Sequence, residues 1–125
     1  MATIVFCEDD PAIRQLIRVV LRASGHELHF APDGTAGLAL IERVLPDIVF
    51  TDMAMPGLNG LQLSDVLRAR AHLAHIPIVF LTASVQRTQI QAGYRHGALD
   101  YLIKPFSSAE LRAKVASLAR PQGAG

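Results

Sequence analysis

DIVFTDMAMPG, residues 47–57, is the stretch that decides the fold. Ile48, Val49 and Phe50 run without the apolar–polar alternation of a half-exposed strand, so Asp47–Asp52 suits a strand buried on both faces. Strands of that kind belong to parallel sheets covered by helices on either side. The run stops on an acid, and Pro56-Gly57 within Met53–Asn59 signals a turn.

Outward from this strand the same alternation of elements repeats. A helix is predicted from about Gly60 to Ala71, then a second continuously apolar strand at Ile76–Thr82, a helix over Val85–Arg95, a strand at Leu99–Lys104 and a helix over Ser107–Leu118. On the N-terminal side, Thr3–Cys7 is a strand and Glu27–Ala31 a weaker edge strand. Between them a helix runs from Pro11, where a missing N–H costs nothing, to about Ala23. Its Ile13, Leu16, Ile17, Val20 and Leu21 share one helical face, and Ser24-Gly25 stops it. Asp33 caps a helix to Val44 that turns Leu40, Ile41 and Val44 inward. The Val85–Arg95 helix has only Ile90, Ala92 and Tyr94 to bury, and the last helix buries Leu111, Val115 and Leu118. Five β-α units of this length predict an α/β, doubly wound, five-stranded parallel sheet with five helices. The expected strand order is the flavodoxin-like 2-1-3-4-5.

Composition sets bounds on function. The 125 residues amount to one domain, expected over 1–119, with 120–125 reading as a flexible tail or the start of a linker. A stand-alone domain is expected over a piece of a longer regulator. No apolar run approaches the ~20 residues of a membrane span, and no secretory signal pattern is present. The single Cys7 ends an apolar run and reads as a small core residue, so the expected compartment is a reducing cytoplasm. With a net charge of +1 and no basic cluster, direct nucleic-acid binding is not expected. His72 and His75 lie around a helix end and loop with no partner cysteine or acid expected nearby, and His26, His29 and His96 are scattered, so all five read as non-ligating.

The chemistry collects at the strand ends. Thr3–Cys7 leads into Glu8-Asp9-Asp10, the third strand ends at Asp52, the fourth at Thr82 and the fifth at Lys104. Open α/β sheets bind ligands beyond these ends, where the strand order reverses. Two carboxylates about 4 Å apart repel by ~4 kcal/mol at an effective dielectric of ~20, so the cluster calls for a cation. All-oxygen ligands favour Mg²⁺, with Mn²⁺ able to substitute. A carboxylate such as Asp52 can attack phosphorus, and Lys104 and Thr82 can take the charge spread over the transferred oxygens. Alone, each residue has a plainer reading as turn, cap or surface chemistry. Together, each at the end of a different strand, they point to a phosphoryl site.

Cys7-Glu8-Asp9-Asp10-Pro11, Thr51-Asp52-Met53-Ala54-Met55-Pro56-Gly57, Leu81-Thr82-Ala83 and Asp100-Tyr101-Leu102-Ile103-Lys104-Pro105-Phe106 resemble the signature stretches of response-regulator receiver domains, and the likeness covers Thr3 to about Leu118. The resemblance implies that Asp52 is the phosphoacceptor. It implies that Asp9 binds Mg²⁺ directly and Glu8 through water, with Asp52 and the Ala54 backbone carbonyl as the other protein ligands. Lys104 would pair with the phosphoryl group, Thr82 would move to hydrogen-bond it, and Tyr101 would swing inward with Thr82. Lys104–Pro105 would be cis, and Asp10 would start a helix.

A sensor histidine kinase or histidine phosphotransfer protein is the implied donor, docking around the first helix. A downstream protein effector would read the face formed by the fourth helix, fifth strand and fifth helix. The chain would be a signalling phosphoacceptor and not an enzyme, acting as a monomer or weak homodimer. Asp100, Glu110 and Lys114 match charges that pair activated domains, but Ile90 and Leu99 replace charged partners. The main alternative is a pseudo-receiver, the same fold serving only as an interaction module. A flavodoxin-type FMN carrier is disfavoured because the first loop is acidic and would repel phosphate. A haloacid-dehalogenase-type phosphatase would resemble this site but needs an acid where Ala54 stands.

Overall fold

Ile48, Val49 and Phe50 have no solvent exposure, so the missing alternation does correspond to burial on both faces. The computed structural model describes residues 1–118; the tail expected at 120–125 lies outside the described residues. The elements are β1 (Thr3–Cys7), α1 (Pro11–Leu21), β2 (Glu27–Ala31), α2 (Gly34–Val44), β3 (Ile48–Asp52), α3 (Gly60–Ala69), β4 (Ile78–Thr82), α4 (Arg87–Arg95), β5 (Asp100–Ile103) and α5 (Ser108–Leu118). All four strand pairings are parallel, in the order β2-β1-β3-β4-β5. The expected fold is the observed one.

Alternate residues of the central strands feed two cores. Val5, Cys7, Val49, Ile78 and Phe80 face Leu40 and Ile41 of α2 and Leu63 and Leu67 of α3. Ile4, Phe6, Ile48, Phe50, Val79 and Leu81 face Ile17 and Leu21 of α1 and Leu111 and Val115 of α5. The Phe6 ring stacks between Phe30 and Phe50, with centroids 5.3 and 5.1 Å away. Helix starts are set by side-chain caps. Asp10 accepts from the Ala12 N–H, Asp33 from the Ala36 N–H, and Asn59 with Gln62 forms a reciprocal capping box.

Several predicted boundaries move inward. Ser107 and Glu110 bond each other's backbone N–H, making Ser107 a cap and starting α5 at Ser108. Pro77 has no N–H to give the sheet, and β4 starts after it. The expected inward faces of two helices also need correction. Leu16 is 42 % exposed and Tyr94 48 % exposed. Each lies at the rim of its helix's apolar stripe, and on α4 the position pressed against the sheet is Gly93.

Cys7 is buried, and burial pushes its thiol up to about 12 despite a hydrogen bond with Thr51. Gly37 lies over it so closely that a β-carbon there would stand 2.4 Å from the sulfur. Thiolate is the reactive form, so Cys7 is expected not to react with Ellman's reagent at pH 8 until the chain is unfolded. Stoichiometric labelling of the native protein would contradict this.

Candidate functional site

Parallel pairing puts every strand's carboxyl end at one edge of the sheet. The register sets Cys7 beside Thr51, Asp52 beside Leu81 and Thr82 beside Ile103. Glu8, Asp52, Thr82 and Lys104 therefore converge although they are distant in sequence. Carboxylate oxygens of Glu8, Asp9 and Asp52 lie within 4.8 Å of one another, with Asp9 exposed and the other two buried. The Lys104 ammonium stands 2.8 Å from Asp52 Oδ2 and 2.6 Å from Glu8 Oε1.

The electrostatics of this edge are unbalanced. Glu8 has no solvent exposure, and burial raises its carboxyl pKa, outweighing the lowering by Lys104 and by the Asp10 N–H that donates to Oε2. Burial alone would lower Lys104, but Asp52 and Glu8 overcome it and the net shift is upward. Lys104 hydrogen-bonds Asp52. Toward Glu8 Oε1 it is close in distance but lacks hydrogen-bond geometry, leaving that buried oxygen without a hydrogen-bond partner. We read this contact as an ion pair only. One ammonium facing three carboxylates leaves a set of hard oxygen donors suited to a divalent cation.

The remaining predicted residues take distinct places. Asp10 caps α1. The Ala54 N–H donates to Asp52 Oδ1 at 3.3 Å, and Thr82 Oγ1 accepts from the Ser84 N–H at 3.0 Å. A cleft of about 320 Å³ opens above these groups, with Ala54, Ser84 and Gln89 along its walls. The Lys104–Pro105 peptide bond is cis. Tyr101 points away from the cleft, under α4. Its ring packs on Phe80 and edge-on to Tyr94, its hydroxyl donates to the Ile90 carbonyl at 2.6 Å, and burial raises its pKa. Lys114 pairs with Asp100 at 2.7 Å within the chain, and Leu99 is 52 % exposed. None of the five histidines joins the acidic cluster, but His72 does have an acid beside it, its Nε2 standing 2.5 Å from Glu42 Oε1, because the fold brings α2 against the end of α3.

Three supports of the site escape sequence reasoning. Arg14 donates to the Glu8 carbonyl at 2.7 Å and holds the acidic loop onto α1. Gly93 lets Tyr101 approach α4, where a β-carbon would stand 1.7 Å from its hydroxyl. Arg68 donates to the carbonyls of Ala74, Ile76 and Gly97 and ties the end of α4 to α3. Only Arg14 carried a signal, its place on α1 close to the acidic loop.

Known proteins share this arrangement. The family profile described as "Response regulator receiver domain" matches residues 4–116. The DNA-binding response regulator MtrA of Mycolicibacterium smegmatis is 37 % identical over 90 % of this chain and 48 % of its own length. The DNA-binding dual master transcriptional regulator RpaA of Synechocystis is 37 % identical over 96 % of this chain and 50 % of its own. The chain thus spans about half the length of these curated relatives. Among solved structures, chemotaxis protein CheY4 of Vibrio cholerae superposes with a TM-score of 0.88 at 28 % identity, covering 94 % of this chain and 98 % of CheY4. The receiver domain of sensor histidine kinase PA1611 of Pseudomonas aeruginosa, with magnesium coordinated in its active-site cleft, gives 0.84 at 29 % identity, covering 94 % and 96 %.

One expectation falls here. Net charge and the lack of a basic cluster argued against nucleic acid as a partner, yet MtrA and RpaA are named for DNA binding. The charge of this segment describes about half of such a protein and does not decide what the whole one binds. The acid cluster, the bridging lysine, the strand order and the family match agree on one placement: the chain belongs to the response regulator receiver domain family.

Proposed function

We propose that Asp52 accepts a phosphoryl group from a phosphohistidine on a histidine kinase or phosphotransfer protein in the cytoplasm. The carrying observation is Lys104 Nζ, 2.8 Å from Asp52 Oδ2 inside a cluster of acids. Lys104 occupies Oδ2, whereas Oδ1 has only the long bond from Ala54 and is the freer nucleophile. As Oδ1 bonds to phosphorus, the P–N bond of the donor breaks and its electron pair stays on the imidazole. Lys104 then pairs with a phosphoryl oxygen, and the Thr82 hydroxyl donates to another. Thr82 leaving Ser84 frees space beside β4, which Tyr101 follows. Because the Tyr101 hydroxyl holds the Ile90 carbonyl, this shift alters the α4–β5–α5 face offered to protein partners. The chain thus acts as a signalling phosphoacceptor, assisting only its own phosphorylation and dephosphorylation.

The donor set fits Mg²⁺, or Mn²⁺ in its place. Glu8, Asp9, Asp52 and the Ala54 carbonyl would hold it, the buried Glu8 Oε1 that lacks a hydrogen-bond partner supports the assignment, and the magnesium in the PA1611 receiver domain agrees with it. The ion would neutralise the cluster and the incoming phosphoryl charge. Mg²⁺ at ten times its dissociation constant should stabilise the fold by about 1.4 kcal/mol. Thermal melts with and without Mg²⁺ check this, and the exposed Asp9→Asn should lose most of the rise. No rise in the wild type would sink the metal assignment. The function itself is tested by intact mass after incubation with Mg²⁺ and acetyl phosphate. A chain that gains no phosphoryl group overturns the reading and leaves a domain that works by interaction alone.

A further inference from the structure

Gln89 is the one cleft residue that comes from α4. It shares the opening with Asp52, Ala54, Thr82, Ser84 and Lys104. Ala54 and Ser84, which also line the cleft, are short, and the Ser84 hydroxyl already accepts from the Gln86 N–H. Lys104 is engaged by Asp52 and Glu8, and Thr82 by Ser84. Gln89 is therefore the long, uncharged wall residue that carries both a donor and an acceptor.

Its backbone is also held. The Tyr101 hydroxyl reaches the carbonyls of Gln89 at 3.4 Å and Ile90 at 2.6 Å. At the other end of α4, Ser64 bonds the His96 carbonyl and Arg68 the Gly97 carbonyl. The start of the helix, by contrast, has no side-chain cap at Gln86. The cleft, about 320 Å³, takes a phosphoryl group with several waters at ~30 Å³ of liquid volume each.

We infer that Gln89 positions the water that hydrolyses the aspartyl phosphate, so that α4 sets the lifetime of the phosphorylated state. The inference rests on the phosphoacceptor reading of Asp52. In the step, the water oxygen bonds to phosphorus and the Oδ1–P bond breaks with its electron pair returning to the Asp52 carboxylate. One water proton passes to a phosphoryl oxygen, and dihydrogen phosphate leaves. The Gln89 carbonyl oxygen accepts from the attacking water while its NH₂ group donates to a phosphoryl oxygen.

The test loads the chain with acetyl phosphate and Mg²⁺, removes the donor by desalting and follows loss of the phosphorylated mass. Gln89→Ala should reach at least the wild-type occupancy but lose phosphate about fivefold more slowly, the worth of one net hydrogen bond. Gln86→Ala, an exposed change at the start of the same helix outside the cleft, should match the wild type. Equal decay of Gln89→Ala and wild type, with both loaded, overturns the inference and leaves the phosphoacceptor reading intact. Equal slowing by Gln86→Ala would also overturn it, by showing that any change at the start of α4 suffices. A wild type that cannot be loaded overturns both readings.

Discussion

Asp52→Asn is expected to take up no detectable phosphate from acetyl phosphate while remaining folded. An amide has no anionic oxygen to attack phosphorus, so the loss is all-or-none. The fold should tolerate the change because the two side chains have nearly the same shape. The amide oxygen can still accept the Ala54 N–H, and Lys104 keeps its 2.6 Å contact with Glu8. Two electrostatic effects oppose each other: the Lys104–Asp52 pair is lost, and repulsion among Glu8, Asp9 and Asp52 is relieved. With desolvation limiting what a partly buried pair contributes, the net change in stability should stay within about 2 kcal/mol. Intact mass reads the phosphate uptake and denaturant melts on the same samples read the net stability. Uptake of one phosphoryl group by the Asn variant would move the acceptor elsewhere in the acidic cluster.

How much of this could be read from the residues alone follows from where they sit. β3 and β4 were legible because Ile48–Phe50 and Ile78–Leu81 are buried on both faces, and only a central parallel strand needs that. The site was legible because each of its side chains breaks an apolar run at a strand's end, and the strand order brings those ends together. Rim positions were not legible. Leu16 and Tyr94 obey helical spacing, yet periodicity fixes a stripe and not its edges. Gly60 read only as a helix start, and Gly93 lay unmarked within the Val85–Arg95 helix, because a close approach belongs to the partner surface. The clamp by Arg68 joins carbonyls from two loops, which local pattern does not connect. Net charge misled about nucleic acid for a different reason: it describes a chain about half the length of the curated DNA-binding relatives it matches.

Gly60→Ala is expected to cost about 2–3 kcal/mol of stability and to slow phosphoryl uptake roughly tenfold or more. Gly60 opens α3 directly beneath Asp52, the proposed acceptor, and its N–H donates to the Met53 carbonyl at 3.1 Å. A β-carbon there would stand 2.4 Å from the Asp52 carbonyl oxygen, 2.9 Å from Met53 Cα and 3.1 Å from the Phe80 ring. Alanine's advantage over glycine in a helix, about 1 kcal/mol at most, is smallest in the first turn and cannot offset such contacts. At Gly93 the obstacles are side-chain atoms, of Tyr101 and Phe80. At Gly60 the two nearest atoms are backbone, so relief must come from moving the chain on either side of the Asp52–Met53 peptide. That movement carries the Asp52 carboxylate off its 2.8 Å contact with Lys104, so stability and uptake should fall together. Urea melts and an intact-mass time course measure both. A variant that lost stability but took up phosphate at the wild-type rate would show that the β3–α3 turn can yield without moving the acceptor.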